Sequence, residues 1–300
     1  MSEPAGARYV PHLLLTAMIA IWGGSYAVVK VALESLPPFA VVALRFWLAV
    51  ACVLPFVRPG FGAELRAAAR PGLLAGALLA LGYLLQTLGM NETSASMGGF
   101  LSGLIVLLAG VGGFVFFRAR FGALSVLGFV LGLAGMALLC WPGEVPAGTP
   151  VVDTPRGILL QIGSSTAYAA HILLLSRFGR TVPPLAFCSW QLLVTAVVAT
   201  AVGTSTGELT AARLAATAWT PGLIAALVYL GALANTLGIA VQGRVQHRIP
   251  PVHVALLFTT QPLFAALVAW LALGDRMGPM QLAGGLTIVL GVLASSLDRR

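Results

Sequence analysis

The stretch from Arg120 to Gly135, RFGALSVLGFVLGLAG, has a counterpart from Arg276 to Gly291, RMGPMQLAGGLTIVLG. Both copies place five residues between the first two of three glycines, and six residues between the second and the third. Recurrence at a fixed interval, here 156 positions, is the signature of an internal repeat. We therefore predict a chain of two similar halves, each ending in a hydrophobic segment with this spacing.

The composition indicates a membrane protein. Apolar residues make up 59% of the 300 residues and charged residues only 9%, which leaves too little polar surface to face water. A bilayer core of roughly 30 Å requires about 20 apolar residues per helix. Runs of about this length, bounded by charges or prolines, occupy 11–33, 38–57, 72–90, 94–117, 122–141, 157–176, 184–203, 219–241, 252–273 and 279–297. We predict an all-α polytopic membrane protein with ten transmembrane helices.

Matches between the halves follow one order along the chain. Tyr26 corresponds to Tyr168, Pro37 to Pro183, Arg45 to Gln191, Pro71 to Pro221 and Gln86 to Asn235. We expect Pro71 and Pro221 to begin helices, where the missing N–H costs little. The predicted repeats are residues 1–141 and 157–300, joined by a linker at 142–156. Five helices per repeat is an odd number, so the repeats must have inverted topology, with a substrate site between them near the midplane.

The distribution of basic residues predicts the orientation. With the N-terminus inside, twelve arginines fall in cytoplasmic segments and four basic residues in outer ones. This positive-inside bias predicts cytoplasmic termini in the inner membrane of a bacterial-type cell. The net charge of +8 is explained by orientation, so we expect no nucleic-acid partner. The three cysteines lie in apolar runs and indicate buried hydrophobic positions rather than disulfides.

Polar and aromatic residues at mid-membrane depth are the candidates for binding substrate, because an unpaired polar group is costly in hydrocarbon. The predicted binding residues are Trp22, Ser25, Tyr26, Tyr83, Gln86, Phe100, Ser164, Tyr168, His171, Asn235 and Gln261. Aromatic walls with neutral hydrogen-bonding groups suit a small polar or zwitterionic molecule. For each residue, packing within the core is the alternative, above all for His171.

A second group of residues is predicted to act in gating or in the vestibule. It consists of Arg45, Gly98, Gly99 and Pro262. Arg45 lies within helix 2, where it either reaches the outer headgroups as an anchor or supplies charge to the outward vestibule. Pro262 frees a backbone carbonyl within its helix. We expect Lys30 to extend toward the outer surface.

Three motifs point to a known family: Trp22-Gly23-Gly24-Ser25-Tyr26, Gln86-Thr87-Leu88-Gly89 and Gln261-Pro262-Leu263-Phe264. Through them the sequence resembles the EamA-type branch of the drug/metabolite transporter superfamily, and the resemblance covers nearly the whole chain. It implies ten helices, cytoplasmic termini and export of small metabolites, including amino acids in YddG-like members. The chain departs from the family at Val106, where a proline is common, so the neighbouring glycines would supply flexibility there.

Absences in the sequence narrow the function. All nine acidic residues fall at loops or helix ends, which predicts uncoupled transport or exchange rather than proton-driven transport. Paired carboxylates, a metal-ligand cluster and a phosphate loop are not found, so we expect neither an enzyme nor a cofactor. We predict a monomeric secondary transporter in the lipid bilayer that exports small metabolites, with amino acids favoured. A proton-coupled exporter of other metabolites or drugs, and a non-transporting membrane subunit, stay open.

Overall fold

A computed structural model describes residues 9–93, 98, 101–117, 122–139, 154–249, 251–273 and 279–296. Every regular element within these ranges is helical. The first half contains α1 Val10–Leu33, α2 Pro38–Val53, α3 Phe61–Glu92, α4 Leu104–Phe117 and α5 Ala123–Leu139. The second contains α6 Pro155–Phe178, α7 Pro184–Ser205, α8 Pro221–Arg248, α9 in two pieces, Pro251–Phe258 and Gln261–Leu273, and α10 Pro279–Ser296.

The predicted all-α membrane class is confirmed. Six of the described helices, α1, α2, α3, α6, α7 and α8, are long and apolar enough to cross a bilayer. Shorter apolar helices occupy 104–113, 123–138, 256–265 and 282–294, at the four remaining predicted runs. The count of ten crossings stays a prediction.

Unpaired backbone groups at two helix ends form hydrogen bonds with side chains from distant parts of the chain. Lys30 in α1 donates hydrogen bonds to the carbonyls of Met90 and Thr93, at the C-terminal end of α3. A cation at this end stabilises the helix because its last carbonyls lack partners within the helix. The ends of α1 and α3 both lie on the predicted outer side, so the expectation that Lys30 extends to the outer surface stays a prediction. On the same side, where α1 connects to α2, the Glu208 carboxylate accepts from the Phe39 N–H in the first turn of α2.

The predicted start of helix 3 was wrong. Helix α3 begins at Phe61, and Pro71 lies inside it. The preceding residues, Ala67-Ala68-Ala69-Arg70, favour helix strongly enough to extend α3 through the proline. In the second half, the short helix Ala211–Ala216 is separate, and Thr220 caps a new helix that starts at Pro221, as predicted.

Most of the helix packing joins the two halves. The main pairs across the halves are α1 with α8 and α9, α6 with α3 and α4, α2 with α7 and α8, α7 with α3, and α5 with α10. If each helix is replaced by its repeat equivalent, α1 by α6, α2 by α7 and so on in both directions, the same set of pairs results. The packing therefore has the pseudo-twofold relation expected of two equivalent repeats.

Helices α5 and α10, which are repeat equivalents, contact each other through their backbones. A Cβ atom on Gly135 would lie 2.6 Å from the main-chain oxygen of Gly284, and one on Gly291 would lie 2.7 Å from that of Gly128. Gly135 and Gly291 are repeat equivalents, as are Gly128 and Gly284, so both halves make the same contact. This self-complementary arrangement is what a twofold interface requires. Small residues permit such close backbone approach in lipid.

We expect Gly135→Ala to destabilise the protein. Its methyl group would meet backbone atoms that cannot move aside, and overpacking of this kind costs about 1–3 kcal/mol in the free energy of unfolding. Thermal unfolding in detergent micelles should therefore show a lower melting temperature. Gly62→Ala is the control, because a Cβ atom there has no neighbour within 4 Å. Equal melting temperatures for the two variants would contradict the glycine contact.

Candidate substrate site

A cavity lies between the two halves, lined by α1, α3 and α4 of the first and by α6, α8 and α9 of the second. Its volume is about 70 Å³, enough for a few water molecules or one small polar molecule. The three lining helices of each half are repeat equivalents. Of the eleven predicted binding residues, the cavity brings together Trp22, Ser25, Tyr26, Tyr83, Gln86, Tyr168, His171 and Gln261.

The other predicted residues lie elsewhere. Ser164 and Asn235 are buried but do not line the cavity, and neither polar atom of the Asn235 side chain has a hydrogen-bond partner. Gly98 is buried, with room for a Cβ atom restricted by the Met90 sulfur at 2.7 Å. Phe100 and Gly99 lie outside the described residues.

Gln86 connects the two halves at the cavity wall. Its side-chain amide donates from Nε2 to the Tyr26 hydroxyl at 3.2 Å, and its Oε1 accepts from the Tyr168 hydroxyl at 3.2 Å. Tyr26 and Tyr168 are repeat equivalents, so one amide binds the same tyrosine position in each half. Because these groups are already oriented by one another, they form a fixed neutral surface for a polar ligand.

The Tyr168 ring fits because α3 carries a glycine opposite it. A Cβ atom on Gly82 would lie 2.6 Å from Tyr168 Cε1. The adjacent Tyr83 ring meets Tyr168 edge to face, with centroids 5.4 Å apart, and meets Phe46 in the same way at 4.8 Å. Such edge-to-face arrangements are favourable for aromatic pairs. The aromatic wall is thus continuous from α2 to α6.

Trp22 forms the opposite part of the wall. Its indole Nε1 donates to the Ala234 carbonyl at 2.7 Å, and its ring stacks on Phe258 with centroids 5.9 Å apart. Ala234 belongs to a π-helical segment of α8, Tyr229–Leu237. The Tyr229 hydroxyl in that segment donates to the Ile21 carbonyl at 2.7 Å. Two hydrogen bonds thus join α1 to a segment of irregular helix, a type often found at functional sites.

Arg45 and Gln191 are repeat equivalents, and each contacts an aromatic or imidazole ring that lines the cavity. The Arg45 guanidinium lies 4.2 Å from the centroid of the Tyr83 ring. Gln191 Oε1 lies 2.8 Å from His171 Nε2, and Gln191 Nε2 donates to the Phe187 carbonyl. Arg45 itself is outside the lining and only 2% exposed, so it does not reach the headgroups.

Helix α9 is interrupted beside the cavity. Its two pieces are separated by Thr259 and Thr260, whose hydroxyls donate to the carbonyls of Leu256 and Leu257 at 2.7 and 2.6 Å. The backbone N–H groups of Thr259 and Thr260 donate to the same two carbonyls, which makes a tighter three-residue turn at the break. Pro262 has no N–H to donate to the Phe258 carbonyl four residues earlier, so regular helix cannot continue through this point. Interrupted helices near the midplane are common at transporter binding sites.

Gln242 is the polar lining residue that the sequence reasoning missed. Its Nε2 donates to Gln246 Oε1 at 2.7 Å, and Gln246 in turn donates to the Ile172 carbonyl. The predicted run ended at 241, although Asn235, Ile239 and Gln242 have the four- and three-residue spacing of one helical face. The remaining missed lining residues are apolar: Leu79, Ile105, Ile172, Ile239 and Phe258.

Carboxylates are found away from the cavity in the described part of the chain. Glu64 pairs with Arg58 at 2.8 Å, and Glu92 pairs with Arg156 at the same distance. The four described acidic residues do not line the cavity, and the described residues contain no group of His, Cys, Asp or Glu able to hold a metal ion.

Comparison with known proteins identifies the family of this protein. Residues 10–141 and 155–297 each match the model of the EamA-like transporter family. An "uncharacterized transporter" of Archaeoglobus fulgidus is 26% identical over 301 residues, covering 99% of this chain and 90% of the relative. The "uncharacterized transporter YvbV" of Bacillus subtilis is 24% identical over 282 residues, covering 93% and 89%. A solved crystal structure has a TM-score of 0.81 at 19% identity, covering 98% and 99%, and supports the fold alone.

The family model and the names of these relatives identify the class as a membrane transporter, to which the helical membrane fold and the cavity between its halves correspond. The chain belongs to the EamA-like transporter family, because the family model matches both halves. The resemblance drawn from the sequence is confirmed at the level of the family, whereas YddG-like specificity stays a prediction.

We expect Gln86→Leu to reduce transport more than stability. The change removes the amide that contacts both tyrosine hydroxyls, and with it the polar surface that they form together, whereas leucine keeps most of the side-chain volume. Uptake of a labelled amino acid by proteoliposomes, normalised to the amount of folded protein, should fall about tenfold or more. The control Thr195→Val also removes a buried hydroxyl, but away from the cavity. Equal transport by both variants would exclude Gln86 from the binding surface.

Proposed function

We propose that this protein is an alternating-access carrier that exports small zwitterionic metabolites, with amino acids as the leading class. The observation that supports it is the neutral cavity between the halves, whose wall combines tyrosine hydroxyls and the Gln86 amide with aromatic rings. Neutral hydrogen-bonding groups suit a molecule whose charges nearly cancel. Phosphorylated substrates would require several arginines in the lining.

The pseudo-twofold packing supplies a route for transport. In our proposal, residues 1–141 and 157–300 form inverted repeats joined by 142–156, and rocking of one repeat against the other opens the cavity to each side in turn. The contact between α5 and α10 stays closed, while the break in α9 allows its two pieces to move separately. Both termini are then cytoplasmic, in a bacterial-type inner membrane, and a single chain suffices.

The distribution of charge favours uncoupled transport or exchange. The lining lacks a carboxylate among the described residues, and proton-driven carriers commonly require one at this depth. One observation favours a second candidate, a proton-coupled exporter: His171 lines the cavity and can exchange a proton. Its Nε2 lies 2.8 Å from the Gln191 amide oxygen, which fixes its orientation without supplying charge.

The test is counterflow in proteoliposomes with a panel of labelled amino acids, with and without ionophores that collapse the pH gradient. Our proposal predicts counterflow of at least one amino acid, unchanged within about twofold by the ionophores. His171→Gln keeps a polar side chain and removes the titration, so coupled uptake that is lost in this variant would favour the proton-coupled candidate. Absence of counterflow with every amino acid would contradict the proposed substrate class.

A further inference from the structure

Arg45 is the one charged side chain that is fully buried among the described residues, apart from the titratable His171. It lies in α2, seven residues after Pro38, and its exposed fraction is 2%. A guanidinium in the membrane interior keeps its charge and normally pairs with an anion or faces an aqueous path. The question is therefore what balances this charge.

The described residues do not provide a counter-ion. The two ion pairs among them join Arg58 to Glu64 and Arg156 to Glu92. The acidic residues outside the described ranges all fall beyond the predicted apolar runs: Glu3, Glu144, Asp153, Asp275 and Asp298. Arg45 Nε also lacks a hydrogen-bond partner. The charge is thus left with aromatic neighbours, Tyr83 at 4.2 Å and Phe46 at 5.5 Å.

Aromatic rings balance a buried cation only in part. A cation–π contact recovers a fraction of the free energy lost when a guanidinium leaves water. The positive potential therefore extends beyond the rings. Tyr83 is itself a cavity-lining residue, so the ring that the Arg45 guanidinium contacts is also part of the cavity wall.

The described part of the second half has no such buried arginine or lysine. The repeat equivalent of Arg45 is Gln191, which holds His171 through a neutral hydrogen bond. The cavity consequently has one wall near a fixed cation, at Tyr83, and another near neutral groups, at His171. A zwitterion would be oriented by this difference, with its carboxylate toward Tyr83 and its ammonium toward the neutral wall.

We propose that Arg45 is the residue that selects a carboxylate in the substrate, and that its missing counter-ion is the carboxylate of the transported molecule. This inference rests on the proposed carrier function and specifies the substrate as a molecule with one carboxylate. The guanidinium acts on the substrate through the Tyr83 ring and makes the cavity favourable for an anionic group. A purely structural role, holding the Tyr83 ring, is the alternative to be separated from it.

The experiment compares each amino acid with its amide, which keeps the side chain and the ammonium but lacks the carboxylate. Counterflow is measured in proteoliposomes for wild type, Arg45→Gln and Arg45→Lys. Gln is the residue that the chain itself carries at the equivalent position 191. Wild type should prefer acid over amide about tenfold or more. Arg45→Gln should bring this ratio close to one, and Arg45→Lys, which keeps the charge, should retain part of the preference.

Two results would overturn the proposal. One is wild-type protein that moves acids and amides equally, a measurement that needs no variant to fold. The other is an Arg45→Gln variant that loses acid and amide uptake by the same factor, since only the structural role predicts that.

A binding measurement separates this inference from the carrier function. Thermal unfolding of the purified protein is recorded with propionate or propionamide at equal concentration and ionic strength. Stabilisation by propionate alone, absent in Arg45→Gln, would support the carboxylate site even if no amino acid shows counterflow. Equal effects of the two compounds on wild type would contradict the site, whatever the transport result.

Discussion

The backbone contact between α5 and α10 relates the two halves of this transporter to each other. Gly135 meets Gly284, and Gly291 meets Gly128, each at a distance that a side chain would prevent. Because the contact is reciprocal, the α5 of one half and the α10 of the other lie across a pseudo-twofold axis. The remaining helices then pack largely on partners from the opposite half, and the space between them becomes the cavity.

The cavity combines symmetry with local differences. Tyr26 and Tyr168 occupy equivalent positions and share the Gln86 amide. Arg45 and Gln191 are also equivalent, yet one is a buried cation and the other a neutral amide. Equivalent positions let both repeats make the same contacts, whereas the difference between Arg45 and Gln191 makes one wall of the cavity more positive than the other. A carrier needs the shared contacts to open to either side of the membrane, and it needs the charge difference to discriminate among ligands.

Much of the fold followed from the sequence because a bilayer restricts the choice of structure to helices or closed barrels. The repeat spacing and the apolar runs predicted the all-helical class and the helices that line the cavity. Pro71 was misplaced because local helix propensity extended α3 beyond the apolar run. Gln242 was missed because α8 continues past the end of its apolar run. The contact of Arg45 with Tyr83 depends on side-chain packing between helices, which sequence spacing does not encode.

We predict that the two repeats have opposite orientations in the membrane, as alternating access requires. Ser35 and Thr181 are exposed, precede the equivalent residues Pro37 and Pro183, and can be replaced one at a time by cysteine in a background without Cys52, Cys140 and Cys188. Labelling with a membrane-impermeant maleimide, from each side of sealed vesicles, then reports the location of both positions. The inverted repeat predicts that cysteines at 35 and 181 react from opposite sides. Reaction of both from the same side would contradict it.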